Sequence, residues 1–268
     1  MFRILVAGVA ALGLGGYSAA ACTGLGATQI DEIYPSGDVV PENLIRFYLY
    51  FTAPMSGADV LPSVTLSRSD GSLVNDAFLS NRFELWSPDR TRLTLLFDPG
   101  RVKTGLEAHD ALGRALIAGQ RYVLTIDTRA RDAEGCDLAA AFSHSFVAGP
   151  SDAEPPDPGN WAVRVPKAGT TEPLRITLGS PHDHLSMAFR IQVRHDGETL
   201  PGRVELQADE TIWEFTPRNQ WAAERHEISI DERLEDLAGN RPGQLFDQPI
   251  DLALPRPELR LWFLPGAG

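Results

Sequence analysis

Cysteine is nearly absent: Cys22 and Cys136 are the only two in 268 residues, too few for the disulfide framework that holds many small secreted domains together. Also missing are a Gly-x-Ser-x-Gly elbow, a His-Glu-x-x-His pair, a Gly-rich phosphate loop and a Cys-x-x-Cys pair. Those spacings would place a nucleophile, a zinc site, a nucleotide or a redox couple. Six histidines are scattered, and none pairs in sequence with a nucleophile. These absences point away from an enzyme and from a bound cofactor. Basic residues are in the minority, 24 Lys and Arg against 36 Asp and Glu, and the acidic charge is dispersed. Such a surface argues against nucleic acid and against anionic membrane faces as partners.

The apolar run from Ile4 to Leu14 is too short and too Gly-rich for a membrane span, which takes about 20 apolar residues. With Met1-Phe2-Arg3 before it and Ala19-Ala20-Ala21 after it, the run has the order of a secretion signal. Residues 1–21 are therefore read as a signal peptide on an exported protein of the periplasm, outer membrane or cell surface. Cys22 directly follows the small residues, as in a bacterial lipoprotein signal, where the cysteine receives a lipid anchor, although Ala19 stands where that pattern prefers Leu. Ordinary cleavage that leaves a plain Cys22 is the alternative. A Cys22 to Cys136 bridge is open only if Cys22 carries no lipid.

Self-comparison settles the domain count better than length does. Glu42-Asn43-Leu44-Ile45-Arg46-Phe47 aligns with Glu172-Pro173-Leu174-Arg175-Ile176 at an offset of 130. Leu96-Phe97-Asp98-Pro99 aligns with Glu214-Phe215-Thr216-Pro217 at 118, and Tyr122 to Asp127 with His226 to Asp231 at 104. Asp132-Ala133-Glu134-Gly135 aligns with Asp236-Leu237-Ala238-Gly239, also at 104. The first copy (38–147) is thus longer, with an insertion around 100–116 expected to hold a short helix and to offer a protein-binding surface. The second copy spans 161–253. Residues 148–160, rich in Pro and acid, read as a stiff, solvated linker. Residues 22–37 read as a tether and 254–268 as a C-terminal tail.

Within each copy the hydrophobic period is two. Ile45, Phe47, Leu49 and Phe51 alternate with Arg46, Tyr48 and Tyr50, and the same pattern marks Leu93-Leu95-Phe97, Tyr122-Leu124-Ile126, Leu174-Ile176-Leu178, Phe189-Ile191-Val193, Trp213-Phe215 and Ile228-Ile230. Short alternating strands between turns of Gly, Pro, Asp and Asn suit antiparallel sheets with one buried face. The expected fold is all-β: two tandem β-sandwiches. The segment Ile45 to Met55, closing Phe51-Thr52-Ala53-Pro54-Met55, and the turn Glu235-Asp236-Leu237-Ala238-Gly239-Asn240 resemble the bacterial Ig-like domain of S-layer and other surface proteins. The resemblance spans both copies and implies immunoglobulin-like sandwiches serving as spacers, adhesion units or add-ons. Two departures mark it: Cys136 stands where Asn is expected, and Ser180-Pro181-His182-Asp183 replaces the Pro-Met form in the second copy.

Four chemistries compete with bland readings. The Asp-x-x-Gly-Asn turn is explained by turn chemistry alone, and Cys136 within its counterpart reads as a thiol without a task. His182, Asp183, His184 and Met187 are the one crowding of metal ligands, of a kind that suits copper, although a surface turn is as natural there. Asp152, Glu154 and Asp157, with Asp132 or Asp236, could bind calcium at the junction, against a default of plain solvation. Among the tryptophans, Trp213 and Trp221 read as core, whereas Trp86 and Trp262 are free to stack on a glycan. The apolar tail Leu259 to Leu264, with Trp262 and Phe263, adds an edge strand or docks on a partner. The expected function is a non-catalytic binding, spacer or scaffold module of the cell envelope with a protein partner; the alternative is an accessory protein for cations or glycans.

Overall fold

The computed structural model describes Cys22 and residues 27–58, 60–80, 84–247 and 254–267. The expected signal segment 1–21 lies outside them. The fold is all-β, built as two immunoglobulin-like sandwiches of two four-stranded sheets each.

The first sandwich comprises β1 (Ile30–Tyr34), β2 (Val39–Pro41), β3 (Arg46–Phe51), β4 (Val64–Arg68), β5 (Leu85–Trp86), β6 (Arg92–Leu96), β7 (Arg121–Ile126) and β8 (Phe142–Gly149), with a short helix α1 (Glu107–Leu112) between β6 and β7. One sheet runs β1-β3-β6-β5 and the other β2-β8-β7-β4. The leading segment is shared between both: β1 pairs antiparallel with β3, and β2 pairs parallel with β8. That division gives the ABED and CFG sheets of immunoglobulin topology. Alternation turns Phe47, Leu49, Leu93 and Leu95 inward from one sheet onto Leu66, Tyr122, Leu124, Ile126 and Phe146 from the other. At the start of β7 the Tyr122 hydroxyl accepts from the Ile117 N–H at 2.9 Å, the tyrosine corner of such sandwiches.

The second sandwich comprises β9 (Ala162–Arg164), β10 (Leu174–Thr177), helix α2 (His184–Arg190), β11 (Ile191–His195), β12 (Glu198–Thr199), β13 (Gly202–Gln207), β14 (Ile212–Pro217), β15 (His226–Ile230) and β16 (Arg260–Phe263). Its sheets run β13-β14-β10-β9 and β12-β11-β15-β16 around a core of Leu174, Ile176, Trp213, Phe215, Trp221 and Ile228. The segments that align in sequence occupy equivalent places. β3 and β10 each sit second from an edge, beside β6 and β14 respectively, and β7 and β15 are central strands of the opposite sheets. The Asp turns match atom for atom. Asp132 Oδ1 accepts from the N–H groups of Glu134 and Cys136, and Asp236 Oδ1 from those of Ala238 and Asn240.

Several expectations are corrected. Part of the supposed tether, Ile30–Tyr34, is strand, because Ile30 and Ile33 pack on the first core and the backbone of β1 completes an edge beside β3. The supposed linker is docked: Asp152 exchanges backbone bonds with the Asn43 amide, both at 2.8 Å. The alternation through Phe189 is broken, since 184–190 is helical and Phe189 is exposed. Asp183 explains the break by capping α2, accepting from the Ser186 N–H at 2.9 Å. The insertion holds its short helix and is anchored on both sides of it. Val102, Ala115 and Leu116 are core residues, and the buried Arg101 guanidinium donates to the carbonyls of Asn75 and Gly113 at 2.7 and 2.8 Å. In the tail, β16 pairs with β15 and closes that sheet.

Candidate functional site

The polar face of β3 decides how the two sandwiches meet. Alternation aims Arg46, Tyr48 and Tyr50 away from the first core, where solvent would be expected. Tyr48 is nevertheless only 3% exposed, because the second sandwich covers it. Its hydroxyl lies 3.0 and 3.1 Å from the two carboxylate oxygens of Asp183, donating to the same group that caps α2. The Arg46 guanidinium bonds Glu235 and stands 3.5 Å from Asp183, and Arg241 donates to Glu235 from the other side at 2.6 Å. On the neighbouring strand Tyr34 stacks on His184, with ring centroids 3.5 Å apart.

Contacts around this centre extend the joint. The Ser36 N–H and hydroxyl donate to the Glu210 carboxylate at 2.9 and 2.8 Å. The Asn240 amide, like that of Asn43, donates to the Asp152 carbonyl, so one amide from each sandwich grips the connecting segment. Ile45 N–H reaches the Leu237 carbonyl at 3.1 Å. From the insertion, Thr104 bonds the Asp247 carboxylate and the Lys103 ammonium sits 4.0 Å from the Phe246 ring centre.

Burial sets the electrostatics here, because removing a carboxylate from water favours its neutral form. It raises the Asp183 carboxyl against the pull of Arg46, and raises those of Glu210 and Asp152. Asp236 is pushed up to about 7 by burial and by the charge of Asp152. Burial lowers His182 and His184 to about 4, which makes both imidazoles neutral near pH 7. Tyr34 and Tyr48 rise for the same reason.

The four residues read as a copper cluster have separate tasks. His182 is 1% exposed and bridges Asp236 as Met55 bridges Asp132 in the first sandwich, so it is the repeat counterpart of a core methionine. Asp183 serves the joint, His184 the tyrosine stack, and Met187 the second core. Among the described residues, three or more His, Asp or Glu ligand atoms converge only at His195, Asp196 and Glu224. The junction carboxylates are spent on local turns, with Asp157 accepting from Gly159 N–H and the Asn160 amide, Asp152 from Glu154 N–H, and Asp132 and Asp236 as described above.

Trp86 packs on Phe51 and donates its indole N–H to Glu84 at 2.9 Å. Phe263 is a core residue against Trp221 and His226, which corrects its reading as an interaction residue. Trp262 is 49% exposed, with the Arg225 guanidinium 4.2 Å over its ring. Cys22 and Cys136 form a disulfide. A sulfur so bonded cannot carry a thioether lipid, so of the two states read for Cys22 the structure has the unlipidated one, and Cys136 is no idle thiol.

No family model and no curated protein matches the chain. Solved structures with some likeness include native alpha-2-macroglobulin from Escherichia coli spanning domains MG0-NIE-MG1, at 10% identity over 80% of this chain and 69% of that one, TM-score 0.30. Another is surface layer protein SbsC, domains 1–6, at 9% identity and TM-score 0.32 over 76% of this chain, which spans about a quarter (24%) of that structure. A third is Dpr2 Ig1-Ig2 in complex with DIP-Theta Ig1-Ig3, at 10% identity over 76% of this chain and 93% of that one, TM-score 0.24. At these scores the likeness carries no argument, and the fold stands on the sheets themselves.

Proposed function

We propose that this protein is an exported, non-catalytic spacer or scaffold of the cell envelope that holds two immunoglobulin-like sandwiches in a fixed relation and presents them to a protein partner. The joint carries this reading. A chain that needed its domains only as independent beads would leave the outward face of β3 polar and wet. Here that face is spent on Arg46, Tyr48, Asp183 and Glu235 packed against one another. The Cys22–Cys136 bridge supports export, since disulfides persist in oxidising compartments and rarely in the cytosol. The acidic, dispersed surface fits a soluble part facing protein rather than nucleic acid.

Crosslinking of the native protein in whole cells, read by mass spectrometry of non-reduced digests, tests the reading in a single experiment. The expected result is a recurrent envelope-protein neighbour together with the linked Cys22 and Cys136 peptides. A cytosolic set of neighbours, or a reduced and unmodified Cys22 peptide in place of the linked pair, would overturn it.

A further inference from the structure

The turn between β11 and β12 places a ligand set that the spacer reading does not use. Asp196 and Gly197 take positive φ, 49° and 81°, the tight hairpin conformation that Asp-Gly pairs favour. This explains why Asp is in the backbone there but leaves its carboxylate without a structural task. Glu224 arrives from the approach to β15, and its side chain and that of Asp196 meet the imidazole of His195. His195 Nε2 stands 3.1 Å from Glu224 Oε2 and 3.5 Å from Asp196 Oδ2, and the three ligand atoms fall within 4.8 Å of one another.

Two features outside the trio fix the ring. Nδ1 lies 3.3 Å from the Arg225 carbonyl, which can only accept, so Nδ1 carries a proton. The opposite nitrogen, Nε2, is the one that faces the two carboxylates. Anchoring the far nitrogen on a carbonyl is how metal-bound histidines are oriented. His226 stacks on the same ring, centroids 4.6 Å apart, and its own Nδ1 is tied to the Glu224 carbonyl at 2.8 Å. The nearby cations are engaged elsewhere, Arg194 with the Gly197 carbonyl and Arg225 over Trp262. Among the described residues, no Lys or Arg stands in ion-pair range of Asp196 or Glu224.

An imidazole lone pair and two carboxylates cannot converge bare: a proton or a metal ion must sit between them. We propose that His195, Asp196 and Glu224 form a surface site for one divalent transition metal of the zinc class. The nitrogen donor argues for such a metal over calcium or magnesium, which prefer all-oxygen shells. Three protein ligands leave a coordination position for water or for a group on a partner. The site neither needs nor follows from the spacer reading.

Calorimetric titration of the intact, tag-free protein with Zn²⁺ at about pH 7.5 tests the assignment, with Ca²⁺ as the control. The expected result is one zinc per chain, weakened about tenfold or more in both His195→Ala and Glu224→Gln, with no calcium binding that depends on these residues. The glutamate is exposed, so its variant keeps the test decisive if His195→Ala fails to fold. Absent zinc binding, or binding unchanged in the variants, would overturn the proposal and leave the trio as an imidazolium held by two carboxylates.

Discussion

Asp132 and Asp236 occupy matching turns with matching backbone bonds, but Asp236 alone also faces the connecting segment and the charge of Asp152. Its carboxyl is lifted from an ordinary 3.8 to about 7 in the folded chain, so folding takes up a proton between those values. Stability then falls as pH rises through that window, since the native state binds more protons than the unfolded one. The contribution is complete below about pH 4 and lost above about pH 7. The raised carboxyls of Asp183, Glu210 and Asp152 act in the same direction. His182 and His184, lowered from 6.5 to about 4, act in the opposite direction, so the contribution is read as a difference: in thermal unfolding from pH 4 to 8 the melting temperature of the unsubstituted chain is expected to fall relative to that of Asp236→Asn. Equal slopes in the two proteins would sink this account.

At the scale of the element, β16 puts two neighbours to opposite uses. Phe263 closes the second core over Trp221 and His226, whereas Trp262 points outward under Arg225. Phe263→Ala is expected to cost about 3–5 kcal/mol and Trp262→Ala under about 1 kcal/mol, read from midpoint shifts in denaturant unfolding. A comparable loss from both would mean that the strand is held by its outer face. The strands that carry two-period alternation were legible because each has one core face: β3, β6, β7, β10, β14 and β15 declare themselves through residues such as Phe47, Leu93 and Ile228. β1 was not, because an edge strand with Ile30 and Ile33 as its apolar content has little periodicity to show. α2 was hidden by Phe189, which extends the alternation of β11 backward while lying on a helix. The sign against that reading is Asp183 with Ser186 three residues on, a helix cap. At the joint, the signal available in sequence was tyrosine at two successive outward positions of β3, Tyr48 and Tyr50, which is a costly choice for a wet face. What the sequence could not show was the second wall, since Asp183 and Glu235 reach Tyr48 and Arg46 only through the docking of separate domains.

The whole molecule behaves as one body if the joint outweighs the freedom of two sandwiches on a short connection. Three kinds of tie act together: the Tyr48–Asp183 and Arg46–Glu235 centre, the Ser36–Glu210 pair, and the two asparagine amides that grip Asp152. None need be strong alone, because exposed ion pairs contribute about 0–1 kcal/mol. The centre differs, since Asp183 and Tyr48 are almost fully buried and losing a partner there leaves a carboxylate stranded. Removing one partner of a buried pair costs about 3–5 kcal/mol, and Arg46, about one-fifth exposed, belongs at the lower end. Spin labels at the exposed positions Leu73 and Glu198, attached by a chemistry that spares the Cys22–Cys136 bridge, report the consequence directly. A single narrow distance distribution is expected in the unsubstituted chain, with broadening in Arg46→Ala while each sandwich keeps its own core and its strand content. A broad distribution before any substitution would show that the polar face of β3 closes only transiently, and the scaffold would then be a flexible tether between two independent modules.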